Sequence, residues 1–280
     1  MKRHKGVNNC GGGLSVTPSG VIFEYINQDE ADFLYEEIFE QNVYLCDKSG
    51  IEVKDGDHIF DIGANIGLFS LSLLSKWQNL KIVAVEPIMG TFQVLKRNLS
   101  SYAKHNTLTF LRFGVGANCN ENGLFYCFRN MPGESTRYLD ERNSQRKTLK
   151  EALLISEIDD KNNYDESDFS TEECPMTTLS ELMEVNKVDQ IDLLKIDVEG
   201  DELEVLRGIN ESSFRRIKQI AIEVHDTEGR LLKITQILQA SGYDNISTHQ
   251  QTNSLSNDGL YQSFVPGELQ LYTVYATKNS

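Results

Sequence analysis

Residues 57–74, DHIFDIGANIGLFSLSLL, leave this chain little choice of local structure. The run 58–60 is short and mostly apolar, a glycine-bearing turn follows, and Leu68, Leu71, Leu73 and Leu74 then recur at helical spacing. The segment predicts a strand, a tight turn and a helix. Gly63 can adopt backbone angles closed to other residues, and Gly67 lets the helix approach both the strand and a ligand. The first N–H groups of that helix lack partners and are available to a polar ligand. Dinucleotide sites use a similar turn, but Asp61, just ahead of the glycines, would repel a pyrophosphate. Glu86 closes the next apolar run, 81–85, where a carboxylate can accept hydrogen bonds from both hydroxyls of a ribose. Asp61 can face an amino or cationic group. S-adenosylmethionine carries ribose, amino group and sulfonium together, and it fits these acids better than NAD.

Three further stretches join the first: AVEP at 84–87, LLKIDVEGDELEVLRGI at 193–209 and QIAIEVHD at 219–226. With FDIGANIGLFSL they resemble the FkbM-type S-adenosylmethionine-dependent methyltransferases, over about 35–277 apart from a variable stretch near 140–172. KIDVEG is the most family-specific piece. The resemblance implies a class I, Rossmann-like α/β fold with a seven-stranded sheet. It also implies S-adenosylmethionine as cofactor, held by Asp61, Gly63, Ala64, Asn65, Gly67, Glu86, Pro87 and Asp197. The implied reaction is methylation of a hydroxyl on a polyketide, peptide or saccharide intermediate; an amide or amine nitrogen is the close alternative.

The end of the run 218–224 carries the second informative pair. Glu223 and His225 are two apart, so in an extended chain they point the same way. A carboxylate beside an imidazole fixes its tautomer and stabilises its conjugate acid, which suits a general base for a hydroxyl acceptor. We assign His225 and Glu223 that catalytic role. Asp197 and Glu199 end the buried run 190–197, at the edge where open α/β sheets bind ligands. Lys195 lies two residues before Asp197 and reads as the partner of a carboxylate rather than a catalytic lysine. Glu199, with Ser135 and Arg137 in the loop 131–138, is assigned to the substrate. Metal assistance would draw on Asp197, Glu199, Asp226 and His225, but charge pairing explains the same residues, so no metal is expected. A non-catalytic Rossmann-like binding module is the reading from another class, and the retained Glu223/His225 pair argues against it.

The 280 residues suffice for a single core. A flexible tail is expected at 1–13 and one domain at 14–280. Within that domain 14–50 form a strand-helix elaboration, and 118–176 form an insertion positioned to act as a lid. A helix is predicted at 148–158, a mobile acidic excursion at 159–173 and a long polar loop at 249–267. Forty-two acids against 27 bases give a formal charge of −15, a field that repels phosphate backbones, so nucleic acid is not an expected partner. No apolar run approaches the length of a membrane span, and MKRHKGVNNCGGG lacks the apolar segment of a secretory signal. A cytoplasmic location follows as an expectation, with a small-molecule, peptide or carrier-tethered substrate as partner. Five cysteines, an odd number without C-x-x-C spacing, indicate neither a disulfide framework nor a zinc site.

Overall fold

The structure, a computed structural model, describes residues 2–4, 12–128, 131–141, 169–251 and 271–279. The helix predicted at 148–158 and most of the loop predicted at 249–267 lie outside the described residues.

Seven strands form the central sheet: β1 His58–Ile62, β2 Lys81–Val85, β3 Thr107–Leu111, β4 Ile191–Ile196, β5 Ile217–His225, β6 Asn245–Gln250 and β7 Leu271–Thr277. Their spatial order is β3-β2-β1-β4-β5-β7-β6. Neighbours are parallel except β7, which runs antiparallel to both β5 and β6. This is the doubly wound α/β arrangement that the resemblance implied. The chain order reverses between β1 and β4, and the crevice outside their carboxyl ends is where such sheets take ligands.

Side-chain alternation divides the sheet's core in two. On one face Phe60, Ile62, Leu194, Ile196, Ile220 and Ile222 pack with the helix Leu179–Val185 and with α4, Glu202–Arg207, and α5, Arg230–Ala240. On the other, Ile59, Leu193 and Ala221 pack with α2, Leu68–Leu74, and α3, Met89–Ser100. That second face also carries Asp61, Lys195 and Glu223 by the same alternation. The N-terminal elaboration covers it through Phe23, Ala31, Ile38 and Tyr44.

The elaboration begins with strands Gly13–Val16 and Ile22–Tyr25, and within the expected tail Lys2–His4 pairs antiparallel with the first of them. Helix α1, Gln28–Tyr35, follows, its N-cap Asn27 accepting a hydrogen bond from Glu30 N. The strand-helix elaboration predicts a single helix here. Instead α1 widens into a π-helical turn, Glu36–Glu40, which buries Glu37 and Ile38 together. Asn42 in the left-handed region then ends the run, and Tyr44 sits in a separate 3-10 turn, Val43–Leu45.

The insertion, with Gly114–Val115 just ahead of it, builds a small sheet of Gly114–Val115, Phe169–Thr177 and Asn122–Phe128. Its middle strand starts inside the stretch predicted to be an acidic excursion. Burial of Cys174 and Met176 against Phe125 and Ile88 gives the strand an apolar anchor that the run of acids concealed. Among the described residues no helix is long and apolar enough to cross a membrane.

Candidate active site

The turn after β1 is built by contacts from both neighbouring strands. Gly63 N and Ala64 N each donate to Val85 O at 3.0 Å, and Asp197 N donates to Ile62 O at 3.0 Å. Gly63 has φ +73°, and a Cβ added to it would lie 1.7 Å from Asp197 O. Only glycine fits there. Asn65 N donates to Glu86 Oε2 at 3.0 Å and Ile88 N to Glu86 Oε1 at 2.9 Å, which fixes the carboxylate's orientation. Burial lifts Glu86 to about 7, against the pull of those two N–H groups. Pro87 O accepts from Arg112 Nε at 3.0 Å.

Asp61 is fully buried, and Ser70 Oγ donates to its Oδ2 at 2.7 Å. Its Oδ1 faces Lys195 Nζ at 3.3 Å but accepts no hydrogen bond among the described residues; Asn65 Oδ1 is likewise buried without one. Lys195 Nζ donates to Gly63 O at 2.7 Å and lies 3.2 Å from Asp197 Oδ2. Burial opposes the ammonium's charge, but Asp197 and Asp61 outweigh it and hold Lys195 above the ordinary lysine range. The lysine is thus a counter-ion between two carboxylates. Asp197, assigned to the cofactor from sequence, is held by Lys195 and by Tyr44 Oη, which donates to it at 3.0 Å.

The carboxyl end of β5 carries the densest charge. Glu223 and His225 share one side of the strand and both are buried. Other carboxylates lie nearest the ring nitrogens of His225. His225 Nδ1 faces Glu202 Oε1 at 3.4 Å and Nε2 faces Glu199 Oε2 at 3.4 Å. Glu223 Oε2 instead accepts from Gln251 Nε2 at 2.8 Å and lies 3.4 Å from Tyr44 Oη. The reason is the turn after β4, which folds Glu199 and the start of α4 back over the β5 end. Burial would lower the imidazole's pKa, but Glu199, Glu202 and Glu223 raise it to about 10. These carboxylates favour the imidazolium over the neutral ring. Burial and Asp197 push Glu223 up to about 8.

Glu199 occupies the left-handed region at φ +50°, a conformation that costs a non-glycine residue on the order of 1 kcal/mol. The loop at 131–138 holds it there: Thr136 Oγ1 donates to Glu199 O at 2.6 Å. The two residues of this loop assigned to substrate are engaged within the protein. Ser135 Oγ donates to Pro132 O at 2.6 Å, and Arg137 Nη1 pairs with Asp201 Oδ2 at 3.3 Å. Asp226, considered as a metal ligand, instead caps α5 by accepting from Leu231 N at 2.9 Å.

Four residues of the site were not singled out from sequence. Glu202 is fully buried, accepting from Gly200 N at 2.7 Å and facing Arg230 Nη1 at 3.3 Å. Glu37 reaches the site from the π-helical turn. Burial first, then Glu223 and Asp197, drives its carboxyl well above the usual range. Glu30 accepts from Gly133 N, and burial lifts it to about 7. Tyr44 contributes twice. It packs edge-on against Phe69 at 5.3 Å, and its hydroxyl also serves two site carboxylates.

Residues 61–244 match the protein family described as Methyltransferase FkbM domain. Methyltransferase sdnD of Sordaria araneosa is 33% identical over 229 residues, covering 78% of this chain and 84% of that protein. The 31-O-demethyl-FK506 methyltransferase FkbM of Streptomyces tacrolimicus is 30% identical over 239 residues, covering 81% and 86%. The AMB antimetabolite synthetase AmbE of Pseudomonas aeruginosa is 32% identical over 247 residues, which are 81% of this chain but 11% of the synthetase.

Proposed function

Because the chain belongs to the FkbM methyltransferase family, we propose that it methylates a hydroxyl on a natural-product biosynthetic intermediate, with S-adenosylmethionine as donor. The observation that carries this reading is one sheet edge joining a glycine-turn cradle at β1 to a buried carboxylate–imidazole cluster at β4 and β5. The cradle fits the donor. Asp61 Oδ1 and Asn65 Oδ1 are buried acceptors without hydrogen bonds, beside a glycine with no room for a Cβ. A ligand bearing ammonium and hydroxyl donors would satisfy them. Glu86 keeps lone pairs for ribose hydroxyls after accepting its two N–H groups. Gly63, Ala64, Asn65 and Gly67 supply the backbone wall, and Pro87 begins the turn beyond Glu86. Bound there, S-adenosylmethionine supplies an electrophilic methyl group.

A hydroxyl becomes nucleophilic only as its proton leaves, and here that proton leaves into the Glu199, Glu223 and His225 cluster. The same cluster argues for oxygen over an amine nitrogen. A carboxylate-rich edge keeps an amine in its protonated, non-nucleophilic form, as Asp197 and Asp61 do for Lys195. The 31-O-demethyl acceptor in the name of the Streptomyces relative points the same way.

Calorimetric titration with S-adenosylhomocysteine and, separately, NADH tests the donor. Binding of the first alone is expected; binding of NADH alone overturns the reading. His225→Ala should lower turnover at least about 100-fold while S-adenosylhomocysteine affinity stays within about threefold. Loss of both together would assign His225 to structure.

A further inference from the structure

We propose that Glu199, Glu223 and His225 bind a divalent cation, of the class that accepts imidazole and carboxylate ligands together, Mn²⁺ or Zn²⁺ rather than Ca²⁺. One ligand atom from each of the three lies within 4.8 Å of the others. Metal–ligand bonds of about 2.0–2.2 Å put neighbouring donor atoms roughly 3 Å apart and opposite ones roughly 4 Å apart. The separation between Glu199 Oε2 and His225 Nε2 is 3.4 Å. Small side-chain adjustments bring the set to coordination distance.

The surroundings complete the pattern. When one imidazole nitrogen binds a metal, the other characteristically donates to a carboxylate that fixes the ring. His225 Nδ1 has Glu202 Oε1 at 3.4 Å, and Glu202 is itself held by Gly200 N and Arg230. Asp197 and Asp226 do not compete for the ion: Asp197 is held by Lys195 and Tyr44, and Asp226 caps α5.

A second observation comes from a residue outside the three ligands. Glu37 is 9% exposed, and its carboxylate makes no hydrogen bond or ion pair among the described residues. The charges acting on it are Glu223, Asp197, Lys195 and Glu199, three of the four negative. A buried acid beside Glu223 is costly to ionise, and a cation there would offset that cost. Glu37 also supplies a further oxygen, or a hydrogen-bond acceptor for water on the ion. If the proposed methyl transfer stands, the ion's use would be to lower the pKa of an acceptor hydroxyl. Ion binding itself does not depend on that reading.

The test is electron paramagnetic resonance of the chelator-stripped full chain titrated with Mn²⁺. One ion per chain is expected, with electron spin-echo modulation from an imidazole nitrogen. Glu199→Gln and Glu223→Gln should each weaken binding at least tenfold, while Glu52→Gln at an exposed position leaves it unchanged. The spin-echo signature needs no variant, so a misfolded variant does not blunt the test. Absence of binding at millimolar Mn²⁺, or bound Mn²⁺ without nitrogen modulation, overturns the proposal. S-adenosylhomocysteine binding, measured with chelator present, reports separately on the methyltransferase reading.

Discussion

At Gly63 the turn after β1 meets the carbonyl of Asp197 with no space between them. Gly63→Ala combines a left-handed backbone with a backbone clash, neither of which a rotamer change can relieve. It is expected to cost roughly 2–5 kcal/mol in urea unfolding and to abolish S-adenosylhomocysteine binding. Stability within about 0.5 kcal/mol of the parent would refute the steric account. Local pattern was enough to find this residue, because a glycine in a strand–turn–helix junction announces itself within seven positions. The surroundings of His225 were not open to the same reasoning. Period-two alternation placed Glu223 beside it, but the carboxylates nearest its ring nitrogens, Glu199 and Glu202, come from the previous strand's exit turn and the helix it leads into. Which acid meets an imidazole across two strands depends on how that turn folds back, and spacing along the chain does not carry it.

Among elements, the N-terminal elaboration and the loop at 131–138 meet at Glu30 and Gly133. Burial raises Glu30 from 4.5 to about 7, with Asn65 and Gly133 opposing the rise and Glu134 and Glu199 adding to it. The folded state therefore binds this proton more tightly than the unfolded state. Its stabilising contribution is complete below about 4.5 and is lost as pH climbs through about 7. Glu30→Gln keeps an acceptor for Gly133 N and cannot ionise. Its melting temperature relative to the parent should rise from pH 5.5 to 7 and level off above 8; a difference independent of pH would remove Glu30 as the cause. The strands and helices of the central sheet were legible, from apolar runs and helical spacing, and their order came with the family resemblance. The π-helical turn was not. One extra residue per turn leaves the apolar spacing of Phe33, Leu34, Ile38 and Phe39 nearly unchanged, while it moves Glu37 from the solvent face into the site. The strand Phe169–Thr177 was hidden for a different reason: only its last few residues bury, so most of its length reads as polar.

For the molecule as a whole, a formal charge of −15 is distributed over a fold that already concentrates buried acids at one edge. Self-repulsion of this kind is long-ranged and screened by salt, whereas the buried pairs around Lys195 are screened little. The melting temperature should therefore rise by roughly 2–5 °C between 20 and 300 mM NaCl, as scanning calorimetry would record. A fall would mean that exposed pairs such as Arg97–Glu24 outweigh the net repulsion. The path of β7 carries a different consequence. It lies between β5 and β6, although both precede it in sequence. During synthesis β6 emerges with nothing to pair with, and β5 stands with one flank bare until residues 271–277 leave the ribosome. Glu223 and His225 pair along that flank, with Thr273 and Leu271. A chain stopped before residue 271 would therefore lack both the strand that Glu223 and His225 pair with and the buried Val274 and Ala276 of the sheet's core.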